Sequence, residues 1–186
     1  MKKINVAGLD LSLVATAVTV LDSKNQIVVE KLIKTKPTEG NMAELKRLLS
    51  IRDSIKTSLS EILPQKIDLA VIEGMAFNAR NTSALVQLAA LNYFVREGLT
   101  NLGIPWIIVF PSSLKKFCTG KGNSQKNEMM LAGFKKWGVT LTNDNIMDSY
   151  ALSRIGTALL TKPKLIQSEQ EVINLLEKQY VATKND

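Results

Sequence analysis

Apolar and β-branched residues fill positions 3–9, 13–21 and 26–34, and short polar breaks at Ser12 and at Asp22, Ser23, Lys24 and Asn25 separate them. Runs of this length and composition predict three strands in an antiparallel meander. The period then changes. Leu45, Leu48, Leu49, Ile51, Ile55, Leu59 and Ile62 recur at helical spacing over 41–62, and Pro64 ends the helix. A strand at 67–73, a helix over 83–102 and a strand at 106–110 stopped by Pro111 come next. The stretch 115–127, with Gly120 and Gly122 among polar and basic residues, is expected to be a mobile basic loop. Helices at 126–137 and 144–161 follow. After Pro163 a last helix over 168–180 carries Val172, Leu175 and Leu176 as a thin apolar stripe. Three strands, a helix and then alternating strands and helices imply a mixed α/β sheet flanked by helices. The chain has no internal repeat and no separating linker. Its 186 residues suit a single domain, with 163–186 as a helical extension of the unit formed by 1–162.

Composition narrows the chemistry. Lys and Arg number 24 against 17 Asp and Glu, a formal charge of +7, which favours a polyanionic partner such as nucleic acid. There is no histidine, so zinc-hydrolase sites, Ser-His triads and imidazole bases are excluded together. Cys118 stands alone and leaves no internal disulfide. Acid-base or metal chemistry must therefore use carboxylates, lysines or tyrosines. The basic N-terminus lacks the apolar stretch of a signal peptide, and no run reaches the ~18 apolar residues of a membrane span, so a cytoplasmic location is expected.

The acids that remain are unusually placed. Asp10 ends the apolar run that begins at Ile4, Glu73 ends Leu69-Ala70-Val71-Ile72, and Asp148 lies one turn into the apolar stretch that runs to Leu160. Alone, Asp10 reads as a turn former, Glu73 as a solvated strand end, and Asp144 or Asn145 as a helix N-cap. Together they suggest more. Two carboxylates ending adjacent strands would lie within about 5–10 Å of each other, given a strand spacing of about 4.8 Å. A carboxylate on the packed face of a helix needs a partner, and a divalent cation is the usual compensation.

Four ordered motifs carry a resemblance: Gly8-Leu9-Asp10-Leu11-Ser12, Val71-Ile72-Glu73-Gly74, the run from Pro111 to Gly122 with the later Lys126, and Asp148-Ser149-Tyr150-Ala151-Leu152. In this order, spanning most of 4–161, they resemble the RuvC family of Holliday junction resolvases within the RNase H and retroviral-integrase superfamily. The resemblance implies an RNase H-like five-stranded sheet, three strands antiparallel and the rest parallel, and a tetrad of acids that binds Mg²⁺, with Mn²⁺ as a substitute. Asp10, Glu73 and Asp148 match three of the four. The fourth falls on Asn145, an amide where the family pattern has Asp. Two explanations compete: Asp144 supplies the missing carboxylate from the neighbouring turn, or Asn145 is an Asp→Asn change that silences a nuclease. By the same resemblance Lys115 and Lys126, with Lys116 and Lys121 nearby, would neutralise charge at the scissile phosphate. Phe77 would stack on junction bases, although displaced by one residue from the family's aromatic, and Arg80 would contact a phosphate.

The implied activity is metal-dependent cutting of branched DNA, most of all four-way junctions, by paired symmetric nicks. Two opposed cuts call for a homodimer. The alternatives are another RNase H-like nuclease and a junction-binding protein without metal chemistry, which Asn145 favours. A nucleotide cofactor is not expected, because Gly120 and Gly122 are too sparse to cradle phosphates and the chain is too short for a two-lobed ATPase.

Overall fold

The computed structural model describes residues 4–62, 64–75 and 82–182. Among them are strands β1 (Asn5–Asp10), β2 (Ala15–Asp22) and β3 (Ile27–Lys34), helix α1 (Asn41–Ser60), strand β4 (Leu69–Glu73), helix α2 (Thr82–Asn101) and strand β5 (Trp106–Val109). Helices α3 (Pro111–Thr119), α4 (Lys126–Trp137), α5 (Asp144–Thr161) and α6 (Gln167–Ala182) complete the order. The sheet runs β3-β2-β1-β4-β5, with β1 antiparallel to β2, β2 antiparallel to β3, and β1, β4 and β5 parallel. This is the mixed sheet that the sequence implies.

Alternation along the strands divides the core in two. Ala7, Leu9, Val18, Val20, Ala70 and Ile72 face Leu48, Ile51 and Ile55 of α1 and Leu91, Val95 and Leu99 of α2. Val6, Leu21, Leu69, Val71, Ile107 and Val109 face Met147, Tyr150, Ala151, Leu152 and Ile155 of α5. Every residue of β1 is buried, as befits a central strand covered on both sides.

Close approach of α5 to β1 depends on small residues. A Cβ built on Gly8 would lie 2.0 Å from the Ser149 carbonyl oxygen and 2.7 Å from the Ser153 amide nitrogen. These are backbone atoms that cannot swing aside. The hydroxyls of Thr19 and Ser149 meet at 2.7 Å, and Ser153 Oγ donates to the Thr19 carbonyl at 2.8 Å, so the polar groups at this tight seam are satisfied. Gly8→Ala must push α5 away from β1 and is expected to cost about 1–3 kcal/mol, readable as a lower urea midpoint at unchanged m-value.

Three differences from the sequence reading matter. Residues 111–119 form a helix where a basic loop is expected from 115, because Pro111 both stops β5 and opens α3 at its first position. Only 120–125 remain as a connection, and Gly120 ends α3 in the left-handed region at φ 88°. In α1, Leu45 is exposed, whereas Arg47 is buried and reaches Leu13 O and Thr35 Oγ1. In α6 the buried stripe is Val172, Ile173 and Leu176, while Leu175 is 70% exposed. Gln179 of α6 accepts from the Ile108 amide at 2.6 Å and so covers the open edge of β5.

Candidate active site

Parallel pairing of β1 with β4 matches Gly8 with Val71 and Leu9 with Ile72. The next residue along each strand is an acid, so Asp10 and Glu73 stand side by side on the face that α5 covers. The close seam at Gly8 then brings the first turns of α5 down over the same strand ends. Asp148, immediately before Ser149, joins them.

The electrostatics record this convergence. Burial, at 7% exposure, raises the Asp10 carboxyl to about 8, and the Glu73 charge, a hydrogen bond shared with Glu73 and the Asp144 charge add to the rise against Lys126. Glu73 is likewise raised, first by burial and then by Asp148, although the hydrogen bond from Asp10 and the Lys115 and Lys126 charges oppose the shift. Asp148 reaches about 7 through burial, then repulsion from Asp10 and Asp144, against Lys126 and Lys115. In the absence of a cation Asp10 and Asp148 hold protons near neutral pH and Glu73 is shifted in the same direction, because desolvation and repulsion between the acids disfavour their charges.

Asp144 is different. It forms an ion pair with Lys126 that lowers its pKa and raises that of the lysine. The α5 N-cap is Asn143, whose side-chain oxygen accepts from the Asn145 and Ile146 amides, so the capping roles considered for Asp144 and Asn145 fall one or two residues earlier. Asn145 lies within the first turn, and its Nδ2 donates to the Ala15 carbonyl at 3.0 Å.

The lysines divide by helix face. Lys115 of α3 is within electrostatic reach of Glu73 and Asp148, and Lys126 opens α4 beside Asp144. Lys116, the next residue of α3, turns away and pairs with Glu171 of α6 at 2.5 Å. Lys121 is exposed in the 120–125 connection. Phe77 and Arg80 lie outside the described residues. Among those described, no three acidic or cysteine side chains are close enough to form a ready metal cage. The acids are electrostatic neighbours, and an ion would have to draw them together.

No protein-family model and no curated protein matches the chain by sequence. Solved structures do match it in shape. Thermus thermophilus RuvC superposes with a TM-score of 0.68 at 18% identity, covering 86% of this chain and 97% of the RuvC chain. The chain has the RuvC fold. RuvC of the same organism in complex with a Holliday junction substrate gives 0.67 at 19% identity, over 83% of this chain and 97% of that one. The yeast mitochondrial Holliday junction resolvase gives 0.57 at 9% identity, over 95% and 83%.

Within the RuvC fold of this chain, sequence reading missed parts of the setting rather than the acids. Apolar Leu114, Phe117 and Cys118 behind Pro111 are a helical signal that shows Lys115 and Lys116 pointing apart. Asn143, two residues before the polar Asn145, is a cap signal. The burial of Arg47 has no comparable signal. Cys118 is buried, donates to the Met129 carbonyl, and has its thiol pushed up to about 12 by burial, so it is an inert packing residue.

Proposed function

We propose that this chain is a metal-dependent endonuclease that resolves four-way DNA junctions by paired symmetric nicks. The observation that carries the reading is the meeting of Asp10, Glu73 and Asp148 at the buried junction of β1, β4 and α5, with Lys115 and Lys126 beside them. Three partly desolvated carboxylates, each raised by burial and by a neighbouring acid, fit a hard divalent cation, since they offer oxygen donors and a +2 charge removes the repulsion. Asp10, Glu73 and Asp148 would hold Mg²⁺ or Mn²⁺, with Asp144 as a further acid in electrostatic range. Bound there, the ion would activate water and stabilise the charge on the leaving oxygen.

The chain's own groups have distinct tasks. Asp10 must give up the proton it shares with Glu73 before either acts as a full ligand. Lys115 and Lys126 lower the cost of bringing a phosphate towards a cluster of acids, and Lys126 must exchange Asp144 for that phosphate. Lys121 extends the basic surface along the 120–125 turn, whereas the pairing of Lys116 with Glu171 makes it the weaker candidate for DNA contact. Phe77 and Arg80 retain their proposed stacking and phosphate roles.

Opposed cuts need two copies of the site. Val86 and Tyr93 of α2 are 63% and 68% exposed and seven residues apart, so they share a helix face suited to a second copy. The α6 helix packs into the α5 side of the core, which supports 163–186 as part of the same domain. No helix among the described residues is long and apolar enough to cross a membrane, and the site's reading as a DNA enzyme supports a cytoplasmic location. The rival reading is a junction-binding protein that does not cut, favoured by Asn145 in place of a fourth ligand.

Incubation of a labelled four-way junction with Mg²⁺ or Mn²⁺, beside linear duplex and an RNA–DNA hybrid, decides between them. Paired nicks near the crossover, with the linear duplex spared, are the expected result. Binding that weakens steeply with salt but never leads to cleavage would support the rival, and preferred cutting of the hybrid would redirect the reading to another nuclease of this fold.

A further inference from the structure

Four consecutive carbonyls of the hairpin that follows Asp10 are tied down. Ser12 O accepts from Thr16 Oγ1 at 2.7 Å, Leu13 O from Thr35 Oγ1 at 2.6 Å and also from Arg47 Nη2, Val14 O from the Thr35 amide at 2.9 Å, and Ala15 O from Asn145 Nδ2 at 3.0 Å. The residue after β3, helix α1 and helix α5 thus grip the hairpin from three sides. Asn145 provides the α5 grip, three residues before Asp148, and the hairpin begins directly after Asp10.

The bond to Ala15 has a fixed direction. A carbonyl can only accept, so residue 145 must donate; an amide does so, and an ionised carboxylate cannot. Aspartate in this place would set its oxygen against the Ala15 oxygen. The geometry therefore does not fit a ligand whose carboxylate has been removed. We infer that Asn145 is a positioning residue, an amide latch that clamps the first turn of α5 to the hairpin and so holds Asp148 against Asp10. The bond stands independently of function. What it positions, a cation site, rests on the nuclease reading above.

The test uses the full-length protein with Asn145→Ala, Asn145→Asp and Glu73→Gln, and reads metal-free melting in chelator and Mn²⁺ affinity by calorimetry. Loss of the donor leaves the Ala15 carbonyl unsatisfied, so both Asn145 variants are expected to melt about 3–8 °C lower without metal. Both are also expected to bind Mn²⁺ about ten-fold more weakly, because Asp148 is no longer held in place. If Asn145→Ala weakens Mn²⁺ while Asn145→Asp tightens it, residue 145 is a ligand and the latch as proposed is overturned. Lower melting with unchanged Mn²⁺ affinity would reduce it to a structural bond and overturn positioning. Wild type that binds no Mn²⁺, or binds it undiminished in Glu73→Gln, would sink the metal reading itself, while the metal-free melting would still report on the bond.

Discussion

Glu73→Gln is expected to reduce junction cleavage by about a thousand-fold or more, equivalent to about 4 kcal/mol of transition-state stabilisation, while leaving junction binding close to wild type. The amide keeps the size of the side chain and removes the charge that a cation needs. Ordinary destabilisation would not explain the loss. Burial and then the Glu73 charge raise Asp10, while burial and then Asp148 raise Glu73, so removal of the Glu73 charge relieves the metal-free protein at pH 8. Cleavage rates, gel-shift affinity and metal-free melting measured on one preparation separate the effects. Cleavage retained within ten-fold would mean that these carboxylates are not the machinery, and loss of binding together with melting would mean that Glu73 holds the fold instead.

Much of this site could be read before the fold was known, and the reason is physical. Asp10 and Glu73 are conspicuous because each ends an apolar strand, and strand ends on neighbouring strands meet whenever the sheet is parallel and in register. The approach of Asp148 is less direct. It depends on α5 lying almost on the backbone of β1, which Gly8, Ser149 and Ser153 permit but which no periodicity announces. The different partners of Lys115 and Lys116 follow only once α3 is recognised, and a proline after an apolar run marks the end of a strand as readily as the start of a helix. Asn145 was legible as an anomaly and illegible as a donor, since its partner, Ala15, is far away in sequence and contributes only a backbone atom. Arg47 illustrates the same limit: a charged residue among the leucines of α1 reads as surface, yet the Leu13 carbonyl on the hairpin and the Thr35 hydroxyl give it partners as it is buried.

Metal should stabilise the folded protein strongly, and more so as the pH rises. Asp10 at about 8, Asp148 at about 7 and the raised Glu73 hold protons in the folded metal-free state that an unfolded chain releases near pH 4. The folded state therefore binds more protons across that interval. The contribution of these groups to stability is greatest below about pH 4, declines as the pH rises towards 8, and has been lost above it. A cation competes with those protons. At pH 6 part of its binding free energy is spent on displacing them; at pH 8.5 little is, so its apparent affinity and the melting increment both grow. At a thousand-fold excess over Kd, Mg²⁺ is expected to add about 4 kcal/mol, or about 10 °C for a chain of this size, at pH 8.5 and visibly less at pH 6. Calorimetric titration at pH 7 in two buffers of different ionisation enthalpy should show proton release on binding. An increment that is independent of pH, with no proton release, would place the bound ion elsewhere than on Asp10, Glu73 and Asp148.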